Sequence, residues 1–327
     1  MQTLDNMGSK PTLEDLQLAQ AQIADKIHHT PLTPNQSLNA EVGQSVFLKC
    51  ENFQKTGSFK VRGALNSIMN LDKDQLTRGV VTVSAGNHAQ ALAWASQQLN
   101  VPTTVVMNEK ASLTKAQATE AYGGKVILHG TAPEAFQLAL QIAEEEGMTF
   151  IHPFDDLQVI AGQGTVGLEI FSDLQEIESL IIPVGGGGLI AGMSLVKRYL
   201  HPHVKIYGVE PEGAAAMNAS LLQGRAVHLD NVSTIADGLG APMAGELTYQ
   251  IVRGNVEKII IVSDSQIMQA MSFLLSRTKF LVEPAGCAAI AALFSGQIQN
   301  DTGGNTVAIL SGGNVSLEDM GNYSSTE

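Results

Sequence analysis

Short β-branched runs alternate with longer stretches of helical period along nearly the whole chain, and this alternation leaves few folds open. The runs at 45–50, 79–83, 103–106, 125–128, 180–184, 205–209, 258–262 and 306–310 read as strands. Helical stretches fall among them at 12–27, 59–69, 89–99, 132–146, 159–174, 189–200, 264–277 and 284–293. Such alternation means parallel sheet joined by crossover helices, an α/β architecture. The 327 residues are enough for two units of ordinary size. Residues 54–158 read as a smaller α/β unit inserted in a larger one. In open parallel sheets, ligands sit outside the carboxyl ends of strands, often against helix N-termini. The residues that follow each strand are therefore the ones to read for function.

Four such places stand out. After 45–50 comes ENFQKTGSFKVRGA. Thr56, Gly57 and Ser58 predict a turn and helix cap, with Lys60 in the first helical turn. An ammonium there feels the positive end of the helix dipole, which favours the neutral amine that Schiff-base chemistry needs. The plainer reading is a solvated lysine, and Lys55 and Arg62 in the same short segment weigh against it. After 79–83 comes SAGNHAQALAWAS. Ser84 or Asn87 caps a helix, and the loop's N–H groups, amide and imidazole suit a carboxylate; otherwise it is a helix cap with an incidental His88. After 180–184 come Gly185, Gly186, Gly187 and Gly188. Four glycines cost backbone entropy, and successive N–H groups at a helix N-terminus form a phosphate nest. Flexibility or tight packing is the alternative. After 306–310 comes Ser311 with two glycines and Asn314, which lets a flat ligand approach the backbone but also makes an ordinary turn.

A competing motif overlaps the third place. Gly186, Gly188 and Ala191 fit GxGxxA between strand and helix, and Glu210 ends the next strand as a ribose-binding acid does. An NAD-dependent dehydrogenase is therefore an alternative, although it leaves the Lys60, Ser84–Ala85–Gly86–Asn87–His88 and Ser311 clusters unexplained. Composition narrows the partners. Nineteen Lys and Arg against 32 Asp and Glu give −13, which disfavours nucleic acid or an anionic membrane as partner. Cys50 and Cys287 form no CxxC, so a reducing cytoplasm is the expected home. The first residues carry Asp5, Glu14 and Asp15 without an apolar core, unlike a secretory signal. The longest apolar run is broken by glycines and a proline, so it does not read as a membrane span.

Taken in order, ENFQKTGSFKVRGA, SAGNHAQ, HPFDD with AGQGT, PVGGGGLIAG, GVEPE, ADG, VEPAG and LSGGN resemble the pattern of fold-type II pyridoxal-phosphate enzymes. The chain is most similar to the threonine/serine dehydratase branch, with serine racemase a near relative. The likeness runs from about residue 30 to 314. It implies two open twisted, mainly parallel sheets flanked by helices, as in the tryptophan synthase β-like fold, with the cofactor in the cleft between domains. The expected division is a large cofactor-binding domain, 1–70 and 155–327, and a small mobile domain, 71–154, closing over substrate. By resemblance, Lys60 is the lysine bonded to the cofactor and the base on one face of the substrate. Phe59 packs on the cofactor ring, Asn87 meets its hydroxyl, and Ser311 faces its nitrogen. The N–H groups of Gly185, Gly186, Gly187, Gly188 and Leu189 cradle the phosphate. Gly238 and Glu283 line the pocket. Ser84, Ala85, Gly86, Asn87 and His88 hold the substrate carboxylate. A hydroxyl at Ser311, where an aspartate would keep the ring nitrogen protonated, disfavours transamination and suits β-elimination.

The departures from the pattern also carry expectations. Racemases have a serine where this chain has Ala85, and an asparagine where it has Phe154, so elimination with little racemisation is expected. The racemase branch binds a divalent cation, Mg or Ca, through a glutamate and an aspartate six positions on. Here Glu210 is present, but the second position is Ala216, which makes a poor hard-cation site unless Glu212 substitutes. The chain ends soon after LSGGN, so feedback through an added regulatory domain is not expected, and residues 321–327 read as disordered. The expected activity is conversion of L-threonine or L-serine, or both, to a 2-oxo acid and ammonia by a homodimer or homotetramer. Serine racemase and 3-hydroxyaspartate dehydratase are the alternatives of the same fold. A non-catalytic cofactor-binding protein is a more distant one.

Overall fold

The structure, a computed structural model, describes residues 10–298 and 300–324. Ten strands form two sheets. They are β1 (Leu32–Pro34), β2 (Val46–Cys50), β3 (Val80–Val83), β4 (Thr103–Met107), β5 (Lys125–Leu128), β6 (Thr149–Phe150), β7 (Ile177–Pro183), β8 (Lys205–Pro211), β9 (Lys258–Val262) and β10 (Asn305–Leu310). The larger sheet has the order β1-β2-β10-β7-β8-β9, and the smaller β5-β4-β3-β6. Every neighbouring pair is parallel except β1 and β2. The expected two mainly parallel sheets flanked by helices are present.

Both faces of the larger sheet are covered, which is why its strands read as continuous apolar runs. Alternate residues point to opposite faces. Leu180, Ile182, Ile206, Val307 and Ile309 pack with the Leu13–Ile23, Leu157–Asp173 and Gly188–Leu200 helices. Ile181, Tyr207, Val209, Ala308 and Leu310 pack against the Asp264–Phe273 and Pro284–Phe294 helices. The Pro284–Phe294 helix, PAGCAAIAALF, is buried from Pro284 through Leu293. Its small residues let it lie close against the sheet.

Several boundaries differ from the sequence reading. Strand β7 begins three residues before the expected 180 and ends at Pro183, and β1 and β6 were not expected at all. Both are very short edge strands, and β1 includes a proline. The short helices Gln36–Val42, Lys73–Arg78, Leu113–Ala121, Ala216–Gln223 and Glu246–Val252 were also unforeseen. The tail expected to be disordered is helical through Ser324, in the Leu317–Ser324 helix, and residues 325–327 lie outside the described residues, as do residues 1–9 at the other end.

Candidate active site

The four strand-end clusters converge, and a circuit of contacts joins them. Lys60 opens the Lys60–Met69 helix, and its Nζ donates to the carbonyl of Pro153 at 2.8 Å. Phe154, next in sequence, presses on the glycine loop: a Cβ on Gly186 would stand 2.3 Å from its ring. On the other side, the Phe59 N–H donates to the carbonyl of Ser311 at 3.1 Å, and Ser58 bridges to Gly312. A Cβ on Gly312 would stand 2.3 Å from Glu283 Oε1 and 3.2 Å from Asn87 Nδ2. Gly238 faces the same two side chains, and Gly185 packs on the Gly238 carbonyl. The circuit returns through the glycines to Phe154 and Lys60.

All the helix starts at this site lack a side-chain cap, as do those of the Leu113–Ala121, Ala216–Gln223 and Glu246–Val252 helices, whereas several others have one. Thr12, Asn35, Asp72, Asp156 and Ser263 each cap their own helix with a side-chain oxygen. The helices opening at Lys60, Asn87, Gly188 and Pro284 have no side-chain cap. Ser58, expected as a cap, sits in the bridge to Gly312, and its hydroxyl is buried without a partner. Ser84 does not cap either; among the described residues its Oγ accepts only from the Gly86 N–H, at 3.3 Å, and Gly86 takes the cap position. A Cβ on Gly86 meets nothing within 4 Å, so this loop borders open space. Among the described residues, the N–H groups of Gly185, Gly186, Gly187, Gly188 and Leu189 find no protein acceptor. Orphan amides at a helix start form an anion site. Gly187, at φ +98°, adopts a conformation that other residues rarely take.

The electrostatics single out Lys60. Burial pushes its amine down to about 8, and among the described residues no carboxylate pairs with it. Its ammonium position lies 5.4 Å from the centroid of the Phe59 ring. Two imidazoles flank it. Burial, and then the Lys60 charge, hold His152 down at about 4. The same causes, with His152 added, hold His88 well below the usual histidine range. His152 Nδ1 accepts the Asp155 N–H at 2.8 Å, and its ring meets Phe154 edge-on. Across the hollow, Asn87 Nδ2 donates to Glu283 Oε1 at 2.6 Å, and Asn314 Nδ2 donates to Asn87 Oδ1 at 2.8 Å. Burial, followed by the Asp237 charge, pushes Glu283 up to about 7. Ser311 is buried, and its hydroxyl makes no hydrogen bond among the described residues.

Glu210 stands outside this circuit. Its two oxygens accept the N–H groups of Met217 and Asn218, each at 2.8 Å, at the start of the Ala216–Gln223 helix. Burial holds its carboxyl up at about 8. No group of three or more metal-ligating side chains occurs among the described residues. Pro153, Asn314 and Thr248 belong to the site or its support; Asn314 was named only as part of its turn, and the other two were missed. HPFDD and LSGGN had flagged the first two segments, whereas nothing in the sequence marks Thr248.

Residues 23–312 match the family described as pyridoxal-phosphate dependent enzyme. An L-threonine ammonia-lyase of Thermotoga maritima is 44% identical over 94% of this chain and 76% of its own. The maize serine racemase structure superposes with a TM-score of 0.92 at 37% identity, covering 96% of this chain and 97% of that one. The processed form of threonine deaminase isoform 2 from Solanum lycopersicum gives 0.89 at 37% identity, covering 97% and 89%.

Proposed function

The chain belongs to the pyridoxal-phosphate dependent enzymes, and from that premise we propose that it converts L-threonine and L-serine to the 2-oxo acid and ammonia by α,β-elimination. The observation that carries this reading is Lys60, a desolvated amine with no carboxylate partner among the described residues, hydrogen-bonded to the Pro153 carbonyl next to the Phe154 ring that packs on a helix start whose amides are unclaimed there. The residues fit the cofactor. The orphan N–H groups of Gly185, Gly186, Gly187, Gly188 and Leu189 suit a phosphate, and the free hydroxyl of Ser311 suits a ring nitrogen. Phe59 and Asn87 would supply the ring contacts, with Gly238 and Glu283 beside Asn87.

When bound, pyridoxal phosphate supplies an electron sink that makes the substrate Cα proton acidic. Lys60 takes that proton, which its lowered pKa permits near neutral pH. The uncapped N–H groups around Ser84, Ala85, Gly86, Asn87 and His88 orient the substrate carboxylate. Neutral His88 and His152 add no charge to compete for the proton. The small unit, 71–154, closes over the substrate and excludes water; the ion pair of Lys115 with Asp237 reaches from it to the Gly238 turn. The substrate class is supported by the threonine ammonia-lyase and threonine deaminase relatives. We also infer a cytoplasmic homo-oligomer; no helix among the described residues is long and apolar enough to cross a membrane.

The likeness to maize serine racemase favours a second reading. Against it, Ala85 offers only a methyl group where a second proton donor is needed. A substrate panel separates the two. Release of 2-oxo acid from L-threonine and L-serine without D-serine supports the lyase. D-serine as main product, or turnover of 3-hydroxyaspartate alone, contradicts it.

A further inference from the structure

The carbonyl of Gly186 is held by two donors on the side of the Glu246–Val252 helix. Thr248 Oγ1 donates to it at 2.7 Å, and the Gly245 N–H at 3.2 Å. Thr248 is fully buried. Its own N–H donates to Asp155 Oδ1 at 3.1 Å, and the Glu246 N–H donates to Asp155 Oδ2 at 3.1 Å. The fit is close: a Cβ on Gly187 would stand 2.8 Å from Thr248 Oγ1, and one on Gly245 would stand 2.1 Å from Asp155 Oδ1.

A trans peptide points its C=O and the following N–H in opposite directions. Holding the Gly186 carbonyl toward Thr248 therefore turns the Gly187 N–H the other way. Between two glycines that peptide meets little steric resistance to rotation, so the clasp sets its direction. We propose that Thr248, seated by Asp155, is a positioning residue that fixes the Gly186–Gly187 peptide so that the Gly187 N–H serves the cofactor phosphate. This rests on the cofactor reading above.

The test compares two ligands that differ only in the phosphate. The full chain, stripped of cofactor, is titrated with pyridoxal 5'-phosphate and with pyridoxal, following Trp94 fluorescence. Thr248→Val weakens pyridoxal 5'-phosphate about tenfold, the scale of one buried hydrogen bond, and leaves pyridoxal unchanged. Thr248→Ser keeps the hydroxyl and restores the preference. Asp155→Asn retains one acceptor oxygen and gives a smaller loss, again confined to the phosphate ester. It carries the comparison alone if the valine variant does not fold. Equal losses for both ligands, or none, overturn the proposal. A wild-type chain that binds neither ligand overturns the cofactor reading instead.

Discussion

Two lysines, Lys49 fully buried and Lys60 half-buried with a desolvated amine, stand in neighbouring parts of this molecule, and they are wired in opposite ways. Lys49, on β2, is fully buried; its Nζ meets Glu169 Oε2 at 2.6 Å and the Thr30 carbonyl at 2.9 Å. Glu169 and Glu51 in turn grip Arg62, the largest fully buried side chain, at 2.6–2.9 Å. Lys60 has one carbonyl, one aromatic face and two imidazoles held neutral. Arg62 lies two residues further along the same helix, which is about 200° around its axis, so the ionic network and the amine face different ways. Burial alone does not make a reactive lysine. Desolvation without a carboxylate does, because one carbonyl and one ring face stabilise the charged form less than an opposite charge would.

Substitutions can break that contrast. Lys60→Ala lowers turnover of threonine by about a thousandfold or more, the scale of a lost proton-transfer group, while the thermal melt stays near wild type. Lys49→Met does the reverse. It leaves a buried carboxylate under-compensated and costs about 3–5 kcal/mol in denaturant unfolding, with turnover of the folded protein retained. If Lys49→Met kills catalysis without loss of stability, the division of labour is wrong. The reactivity of Lys60 toward an acylating reagent, mapped by peptide mass, sharpens the contrast. Only the neutral amine reacts, so the rate rises with pH and levels off above a midpoint near 8, where an ordinary lysine has its midpoint near 10.5. A midpoint left at the ordinary value refutes the desolvation argument.

Glu283 provides the smallest effect. Its carboxyl is raised from 4.5 to about 7, so between those values the folded protein holds a proton that the unfolded chain has released. The associated stability is full below the unfolded value and is lost as pH rises through 7. Glu283→Gln cannot ionise yet still accepts from Asn87. Its unfolding free energy between pH 5 and 8 should be flatter than wild type by of order 1–3 kcal/mol. Parallel profiles for the two proteins contradict the assignment.

What the sequence made legible follows the same physics. Strands of four or five mostly β-branched residues bounded by loops are legible even at a sheet edge, so Lys125–Leu128 and Lys258–Val262 are found to the residue. The edges β1 and β6, at three and two residues, are too short to show a period. The clusters at Lys60, Asn87, Gly185 and Ser311 are visible because strand-end loops carry chemistry in few residue types. Ser58 and Ser84 looked like helix caps because local sequence cannot show that a helix start is being left open. The Pro153 carbonyl, the Asn314 amide and the Thr248 clasp depend on approaches between segments about 60 to 260 positions apart, and no local pattern reports them.

The most direct measurement is hydride trapping. The chain is loaded with pyridoxal 5'-phosphate, reduced with borohydride, digested and mapped by mass. The account predicts one phosphopyridoxyl group, on the peptide containing Lys60, and none in Lys60→Ala. A label on Lys49 or another lysine, or no label at all, contradicts it.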